Sequence, residues 1–537
     1  MQSTMQDFQL TVAALTRHGQ AVFPESEVVT MCEVGVRRAT YAQVAERAER
    51  LASVLARLGI RPGDRVGTFL WNTQEHLEAY LAVPSMGAVL HTINLRLAPE
   101  HIAYIVNHAH DRVILAHASA AEMLLRARGG FDHVEHIILV DDGVDARIPG
   151  ALDYEALLAD APQASWPELD ERLAAAVCYT SGTTGLPKGV VYSHRSTYLH
   201  SMGVCSGGAI GLSERDRVLP VVPMFHANAW GLPYAAWLVG ADLLLPGRFT
   251  RPDALSSFVA RERATVAAAV PTVWNDILRH SDEATVDLTP LRMIVCGGAQ
   301  PPRRILEEYE RRFGVPIIQA WGLTETSPLA ALAFPPKGAP DPWPFRQKAG
   351  RVLCGVELRI VNEAGEVQPR DGVSEGEIEV RGPWVTGAYH GDPSPEKFRD
   401  GWLRTGDVGT VCSRGFVTIT DRAKDVIKSG GEWISSVTLE NALMAHPAVL
   451  EAAVIAVPDP RWQERPLACV VLRPGKAASP KELRNHLSSQ VARWWLPERW
   501  SFIPEVPKTS VGKFDKKVLR ARHAEGGLRV VELEERP

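Results

Sequence analysis

Short apolar runs alternate with amphipathic segments over the first two thirds of this chain, and that rhythm narrows the fold more than any other feature. In residues 40–58, Val44, Ala48, Leu51, Leu55 and Leu58 recur at helical spacing with charges between them, and Gly59 is placed to end the helix. RVGTFL (65–70) then reads as a strand, residues 75–86 as a helix and AVLHTIN (88–94) as a second strand. The alternation returns in RVILAH, HIILVDD, RVLPVVPM, ATVAAAVP, RMIVCGG and VPIIQAWG. Apolar strands separated by helices predict stacked, mostly parallel sheets with helices on their faces. After Lys348 the texture changes. VELRIVN, GEIEVRG and FVTITD alternate between turn signals and predict a β-rich subdomain at about residues 348–420. Past Asp421, LENALMAHP and PKELRNHLSSQVA read as helices, and EAAVIAV and LACVVL as strands. The expected fold class is α/β, with a large N-terminal domain over residues 1–420 and a small C-terminal α+β domain over residues 421–537.

Composition removes several function classes. A formal net charge of −5 with no basic stripe argues against nucleic acid as a partner. The seven cysteines are dispersed, with no C-x-x-C pair, so thiols in a reducing cytoplasm are expected, not a disulfide frame or a zinc site. MQSTMQDFQL lacks the basic and apolar parts of a secretory signal. Residues 227–245 are largely apolar, but Asn228, Pro233 and Asp242 interrupt them. They are too short and broken to cross a bilayer and predict a buried helix lining a pocket.

The chemistry concentrates in residues 179–195, YTSGTTGLPKGVVYSHR. The apolar run AAAVCYT empties into Thr180, Ser181, Gly182, Thr183, Thr184 and Gly185, followed by Lys188, and regular structure resumes near Ser193. Glycines let backbone N–H groups converge on anionic oxygens, hydroxyls donate further hydrogen bonds and the lysine adds charge. A polyphosphate is the ligand such a loop suits. It is not a Walker A loop, because Pro187 stands where that motif needs its second glycine.

This run resembles the phosphate-binding signature of the adenylate-forming superfamily of acyl-CoA synthetases, adenylation domains and luciferases. AWGLTETSP (320–328), GWLRTGDVG (401–409), DRAKDVIKSGGEWIS (421–435) and PKTSVGKFDKK (507–517) follow in that superfamily's order. Together they cover about residues 40–520. SGGEWISS and PMFHANAWGLPYAAWLVGA are most similar to medium- and long-chain fatty-acid–CoA ligases. The resemblance implies ATP, Mg²⁺ and CoA as cofactor and cosubstrates, a fatty acid as substrate, and room for a homodimer and for peripheral membrane contact.

It also implies roles for particular residues. Lys188 and the loop would hold the β- and γ-phosphates, and Thr180 and Glu325 would hold Mg²⁺, which prefers hard oxygen ligands. Trp321 would offer adenine a flat face, with Gly298, Gln319, Ala320, Gly322 and Thr324 around it; Ala320 and Trp321 depart modestly from relatives that carry Gly or Tyr. Asp407 would take the ribose hydroxyls with both carboxylate oxygens, and Arg422, Lys424, Lys428 and Trp433 would also attend the nucleotide. Lys513 would stabilise charge during adenylation, while Lys508, Lys516 and Lys517 are expected in solvent. A mobile small domain hinged at Asp421 would then present Ser429, Gly430, Gly431 and Glu432 to CoA. His226 would shift between the two states, and Trp230 would gate the acyl tunnel. Without the resemblance, Glu325 reads as a capping residue, RTGD as a turn and Trp230 as core.

The expected activity is therefore an ATP-dependent fatty acid–CoA ligase. A fatty-acyl-AMP ligase that loads a carrier protein in trans is the alternative, although no carrier segment follows residue 520. A purely nucleotide-binding regulator would have no need of both Lys513 and a thiol-side glycine loop, and nothing local supports a luciferase-like oxygenase.

Overall fold

The computed structural model describes residues 1–533 except Asp142, Asp145, residues 181–185, Gly430, Gly431, Ser510, Val511 and the side chain of Glu432. A seven-stranded sheet runs in the order Leu152–Asp153, His136–Val140, Asp111–His117, Arg65–Phe69, Val89–Thr92, Ala174–Tyr179, Gly189–Ser193. Its pairings are parallel except the last, where Gly189–Ser193 turns back along Ala174–Tyr179. A nine-stranded sheet lies beside it, parallel through its centre from Glu27–Met31 to Ile317–Gly322, with antiparallel strands at both edges.

Local chemistry explains how the sheets are joined. Thr40 and Gln43 form a capping box that starts helix Tyr41–Arg57, and Gly59 leaves it at φ +86°. The helix buries Val44, Ala48, Leu51 and Leu55. Helix Gln74–Ser85 is buried all round, as a helix between two sheets must be. Its Leu77, Tyr80 and Leu81 share one core with Val66 and Leu90 of the seven-stranded sheet and Val218 and Leu243 of the nine-stranded sheet.

A five-stranded antiparallel sheet follows, built on Glu357–Val361, Gly376–Arg381, Trp402–Val411 and Val417–Arg422, with Phe398–Arg399 at its edge. The next strand, Ile427–Ser429, belongs to a separate six-stranded sheet that ends with Val531–Glu532 and has its own core around Leu439, Val454, Leu483 and Trp500. The chain is thus α/β with stacked, mostly parallel sheets, a β-rich part and a C-terminal α+β part.

Two local expectations need correction. Residues 227–245 are not one helix: a left-handed turn Ala227–Trp230 leads into helix Leu232–Val239 and strand Asp242–Leu245. Gly231 and Gly240, both at positive φ, punctuate the apolar run. The Gly/Thr loop re-enters regular structure at Gly189 as a strand, before Ser193 caps helix His194–Cys205. Among the described residues no helix is long and apolar enough to cross a membrane, and the seven cysteines are free.

Candidate active site

A cavity of about 890 Å³ opens where the sheets meet, and residues from every motif identified in the sequence line it. The first wall is the hairpin between Ala174–Tyr179 and Gly189–Ser193. Thr180 N donates to Lys188 O at 2.9 Å and Lys188 N to Thr180 Oγ1 at 3.1 Å, so these two residues close the base of the loop. Ser181, Gly182, Thr183, Thr184 and Gly185 lie outside the described residues. The Lys188 ammonium sits 2.8 Å from Asp392, donates to Ser394 Oγ and lies 5.0 Å from the centre of the Tyr389 ring. Tyr389 donates its hydroxyl to Glu325 Oε1 at 2.6 Å. One tyrosine therefore stands between the lysine and the carboxylate.

Glu325 occupies a short 3-10 turn, Thr324–Thr326, that follows strand Ile317–Gly322. Thr324 lines the cavity, and its carbonyl accepts from Tyr192 at 2.7 Å. Gln319, Ala320 and Trp321 face the cavity from the strand, and the Gln319 Oε1 is buried without a partner among the described residues. Gly322 has no freedom to be anything larger: a Cβ there would stand 1.7 Å from the Pro328 carbonyl oxygen. Gly298, at φ +85°, lies where the Lys513 stem passes; a Cβ would meet Lys513 Cε at 3.2 Å.

Asp407, on strand Trp402–Val411, is 2% exposed and has both carboxylate oxygens engaged. Oδ2 accepts from Trp321 Nε1 at 2.8 Å and Oδ1 faces Arg422 Nε at 2.6 Å. Strand register places Asp407 opposite Arg422. The indole edge of Trp321 is thus committed to the carboxylate, a link that RTGD did not advertise.

Lys513 enters from the C-terminal part on a tight turn. Thr509 N donates to Lys513 O at 2.7 Å, Lys513 N to Thr509 Oγ1 at 3.2 Å, and Gly512 takes φ +82°. Burial, reinforced by the Arg422 charge, holds the Lys513 ammonium down to about 8 despite Asp407 and Glu325 nearby. Lys424 also lines the cavity and is lowered, chiefly by burial. His226 is pushed down to about 3 by burial and by Lys513, so its imidazole is neutral.

Trp230 is 9% exposed and lines the cavity with its ring edge close to Gly297, where a Cβ would stand 3.1 Å from Trp230 Cη2. Leu232, Ile210 and Leu329 continue the apolar side of the cavity. Trp230 is held by a backbone in which Ala227, Asn228, Ala229, Trp230 and Gly231 all have φ between +42° and +73°. Asn228, at its centre, accepts from Cys178 Sγ at 3.1 Å and Tyr80 at 3.4 Å.

Three expected contacts do not reach this cavity. Lys428 points to Glu363 at 3.5 Å, Trp433 pairs with it across a hairpin, and Ser429 Oγ accepts from Arg465 at 3.1 Å. Gly430, Gly431 and the Glu432 side chain are outside the described residues. Lys516, expected in solvent, is 9% exposed and ion-paired with Glu440 at 2.7 Å, whereas Lys508 pairs with Glu451 and Lys517 is exposed. Tyr389, Asp392 and Ser394 were not singled out from the sequence. AYHGDPSPEK reads as an ordinary Pro/Gly loop, and only its proximity to Lys188 gives it meaning.

A phosphate-type hairpin, a nucleotide-sized cleft and a lysine brought in on a turn of the C-terminal part define an adenylate-forming enzyme. The chain matches the family of AMP-binding enzymes over residues 16–390 and the AMP-binding enzyme C-terminal domain over residues 438–513. It is 45% identical to a long-chain-fatty-acid–CoA ligase of Thermus thermophilus, with 97% of each chain covered. It is 42% identical to a medium-chain-fatty-acid–CoA ligase of Ectopseudomonas oleovorans, again over 97% of each, and 42% identical to a 3-methylmercaptopropionyl-CoA ligase of Ruegeria pomeroyi, over 95% of this chain and 97% of the relative. The crystal structure of an anthranilate CoA ligase in complex with anthranoyl-AMP superposes with a TM-score of 0.88 at 26% identity, covering 97% of this chain and all of that one. The chain belongs to the AMP-binding enzyme family, and within it is an acid–thiol ligase of the AMP-forming acyl-CoA synthetase type.

Proposed function

We propose that this enzyme activates a medium- to long-chain fatty acid with ATP and transfers the acyl group to CoA. The observation that carries the reading is the meeting of Lys513, Asp407, Glu325 and Lys188 around one cavity whose lining also includes the apolar Trp230, Leu232, Ile210 and Leu329. In the first half-reaction a carboxylate oxygen of the acid attacks the α-phosphorus of ATP, and pyrophosphate leaves. Both reactants are anions, so alignment and fixed positive charge lower the barrier. Lys188 binds the departing phosphates, Asp407 and Arg422 orient the ribose, and Lys513 neutralises charge at the reacting centre. The neutral His226 and the Trp230 ring line the same cavity, where the acyl group would lie against them.

Glu325 and Thr180 present oxygen donors to the cavity, the chemistry that Mg²⁺ prefers. Such an ion would supply charge neutralisation to the polyphosphate.

In the second half-reaction the CoA sulfur attacks the acyl carbonyl and AMP leaves. Lys428, Ser429 and Trp433 lie away from the cavity here. They reach it if residues 421–537 turn as a body about Asp421, which also withdraws Lys513. Two orientations then serve two chemistries, a hinge mechanism.

The test is an assay of the purified protein with ATP, Mg²⁺ and a ladder of straight-chain acids plus 3-methylmercaptopropionate, following pyrophosphate and acyl-CoA separately. Acyl-CoA with an optimum among medium or long acids supports the proposal. An optimum at 3-methylmercaptopropionate would replace the substrate class. Pyrophosphate and acyl-AMP without acyl-CoA would move the acceptor to a carrier protein.

A further inference from the structure

Asp421 has its main chain in one part of the protein and its carboxylate in another. It lies in strand Val417–Arg422, which pairs along Trp402–Val411 with Val408 opposite Asp421, so its backbone is fixed to the five-stranded sheet. Its Oδ2 accepts from Ser436 N at 2.6 Å and from Ser436 Oγ, both on the first residue of helix Ser436–Met444. Beside it, the capping residue Ser435 donates its hydroxyl to Thr420 O. Lys516 opens helix Lys516–Ala524, donates to Ser436 Oγ and stands 2.7 Å from Glu440 Oε1. Glu440 also accepts from Val454 N at 2.7 Å.

All the charged members of this cluster are 9% exposed or less, and Ser435 and Ser436 are fully buried. The Lys516 ammonium holds the Glu440 carboxylate directly and reaches Asp421 through the Ser436 hydroxyl, so removal of Lys516 strands negative charge in a poorly solvated place. A solvated surface lysine has no such geometry. Lys516 also lies three residues beyond Lys513, on the segment that delivers that lysine to the cavity, and Asp421 immediately precedes Arg422, the partner of Asp407.

We propose that Ser435, Ser436 and Lys516 form a clasp on Thr420 and Asp421 that holds the C-terminal part in the orientation placing Lys513 in the cavity. They are positioning residues for adenylation and touch no substrate. The inference rests on the two-orientation reading above. Turning about Asp421 carries Ser435, Ser436 and Lys516 away from Thr420 and the strand, so the clasp opens for the second half-reaction. Its strength therefore weights the two orientations.

Full-length Lys516→Met, Lys516→Arg and Ser436→Ala, with Lys513→Ala as reference, separate the alternatives. Pyrophosphate release from ATP and lauric acid reports adenylation, and CoA acylation from synthetic lauroyl-AMP reports transfer. Lys516→Met and Ser436→Ala should each slow adenylation about tenfold and leave transfer within about twofold, and Lys516→Arg should restore most of the loss. Ser436→Ala removes a single hydroxyl, so it carries the test if Lys516→Met does not fold. If Lys513→Ala separates the half-reactions but the clasp variants slow both equally, or neither, the clasp is wrong and the two-orientation reading stands. If Lys513→Ala also fails to separate them, both fall.

Discussion

Trp321 Nε1 donates to Asp407 Oδ2 at 2.8 Å, which fixes the carboxylate proposed for the ribose by means of the ring proposed for the base. Trp321→Phe keeps a flat face but removes the donor. A hydrogen bond to a charged group is worth about 1.5–3 kcal/mol, so the KM for ATP should rise roughly tenfold. ATP–pyrophosphate exchange is the assay. A fall in kcat with KM unchanged would show that the link does not act through nucleotide binding.

If Lys513 is the adenylation lysine proposed above, its ammonium, held down to about 8, makes that step pH-dependent in a defined direction. The active form would be the protonated one, which dominates below that value and is lost above it. The kcat/KM for ATP in pyrophosphate release should be flat up to about pH 8 and then fall about tenfold per unit. Lys513→Arg, permanently charged, should remove that fall. A basic limb that survives the substitution would assign the titration to another group.

Gly322→Ala places a methyl 1.7 Å from the Pro328 carbonyl oxygen, and neither partner is a flexible side chain. The strand must shift, at a cost of about 3 kcal/mol or more. Chemical denaturation should show a lower midpoint. An unchanged midpoint would mean that the strand and the turn after it separate freely.

Tyr389→Phe takes away the proton donated to Glu325 at 2.6 Å. If Glu325 is the metal carboxylate, its orientation loosens and the Mg²⁺ concentration for half-maximal pyrophosphate release should rise about fivefold, in line with a net hydrogen-bond value of about 1 kcal/mol. Titration of Mg²⁺ at saturating ATP checks this. A change confined to the KM for the fatty acid would place Tyr389 elsewhere in the mechanism.

Trp230→Ala removes a ring that lines the cavity beside Gly297 and, if the acyl chain lies against it as proposed, frees space for a longer one. The optimum of the acid ladder should move to longer chains, alongside a stability loss of about 3–5 kcal/mol for an emptied aromatic site. The same optimum in wild type and variant would make Trp230 a core residue and nothing more.

What could be read from the chain depended on how local the chemistry is. The hairpin at Thr180 and Lys188 and the turn that carries Lys513 announce themselves because hydroxyls, glycines and a lysine must be contiguous there. Lys516 and Lys517 are neighbours in sequence with opposite fates, one under Glu440 and one in solvent, and only the phase of their helix decides between them. Tyr389 gains its place from Lys188 and Glu325, which arrive from distant segments. The parallel sheets were legible from their apolar strands, but the left-handed turn at residues 227–230 was not, because Ala-Asn-Ala-Trp contains no glycine to mark it.

That turn has a consequence for anyone reshaping the substrate range. Left-handed geometry costs an L-residue about 1–2 kcal/mol, and here four in succession carry it, pinned by Asn228 to Cys178 and Tyr80. The turn that carries Trp230 into the cavity wall therefore holds backbone strain, and one buried amide ties it down. Glycine at Ala227 or Ala229 would relieve that strain and favour the turn as it stands, whereas a β-branched residue at either place would add to the strain and favour its release. Backbone handedness, as well as side-chain volume, therefore bears on how Trp230 is held.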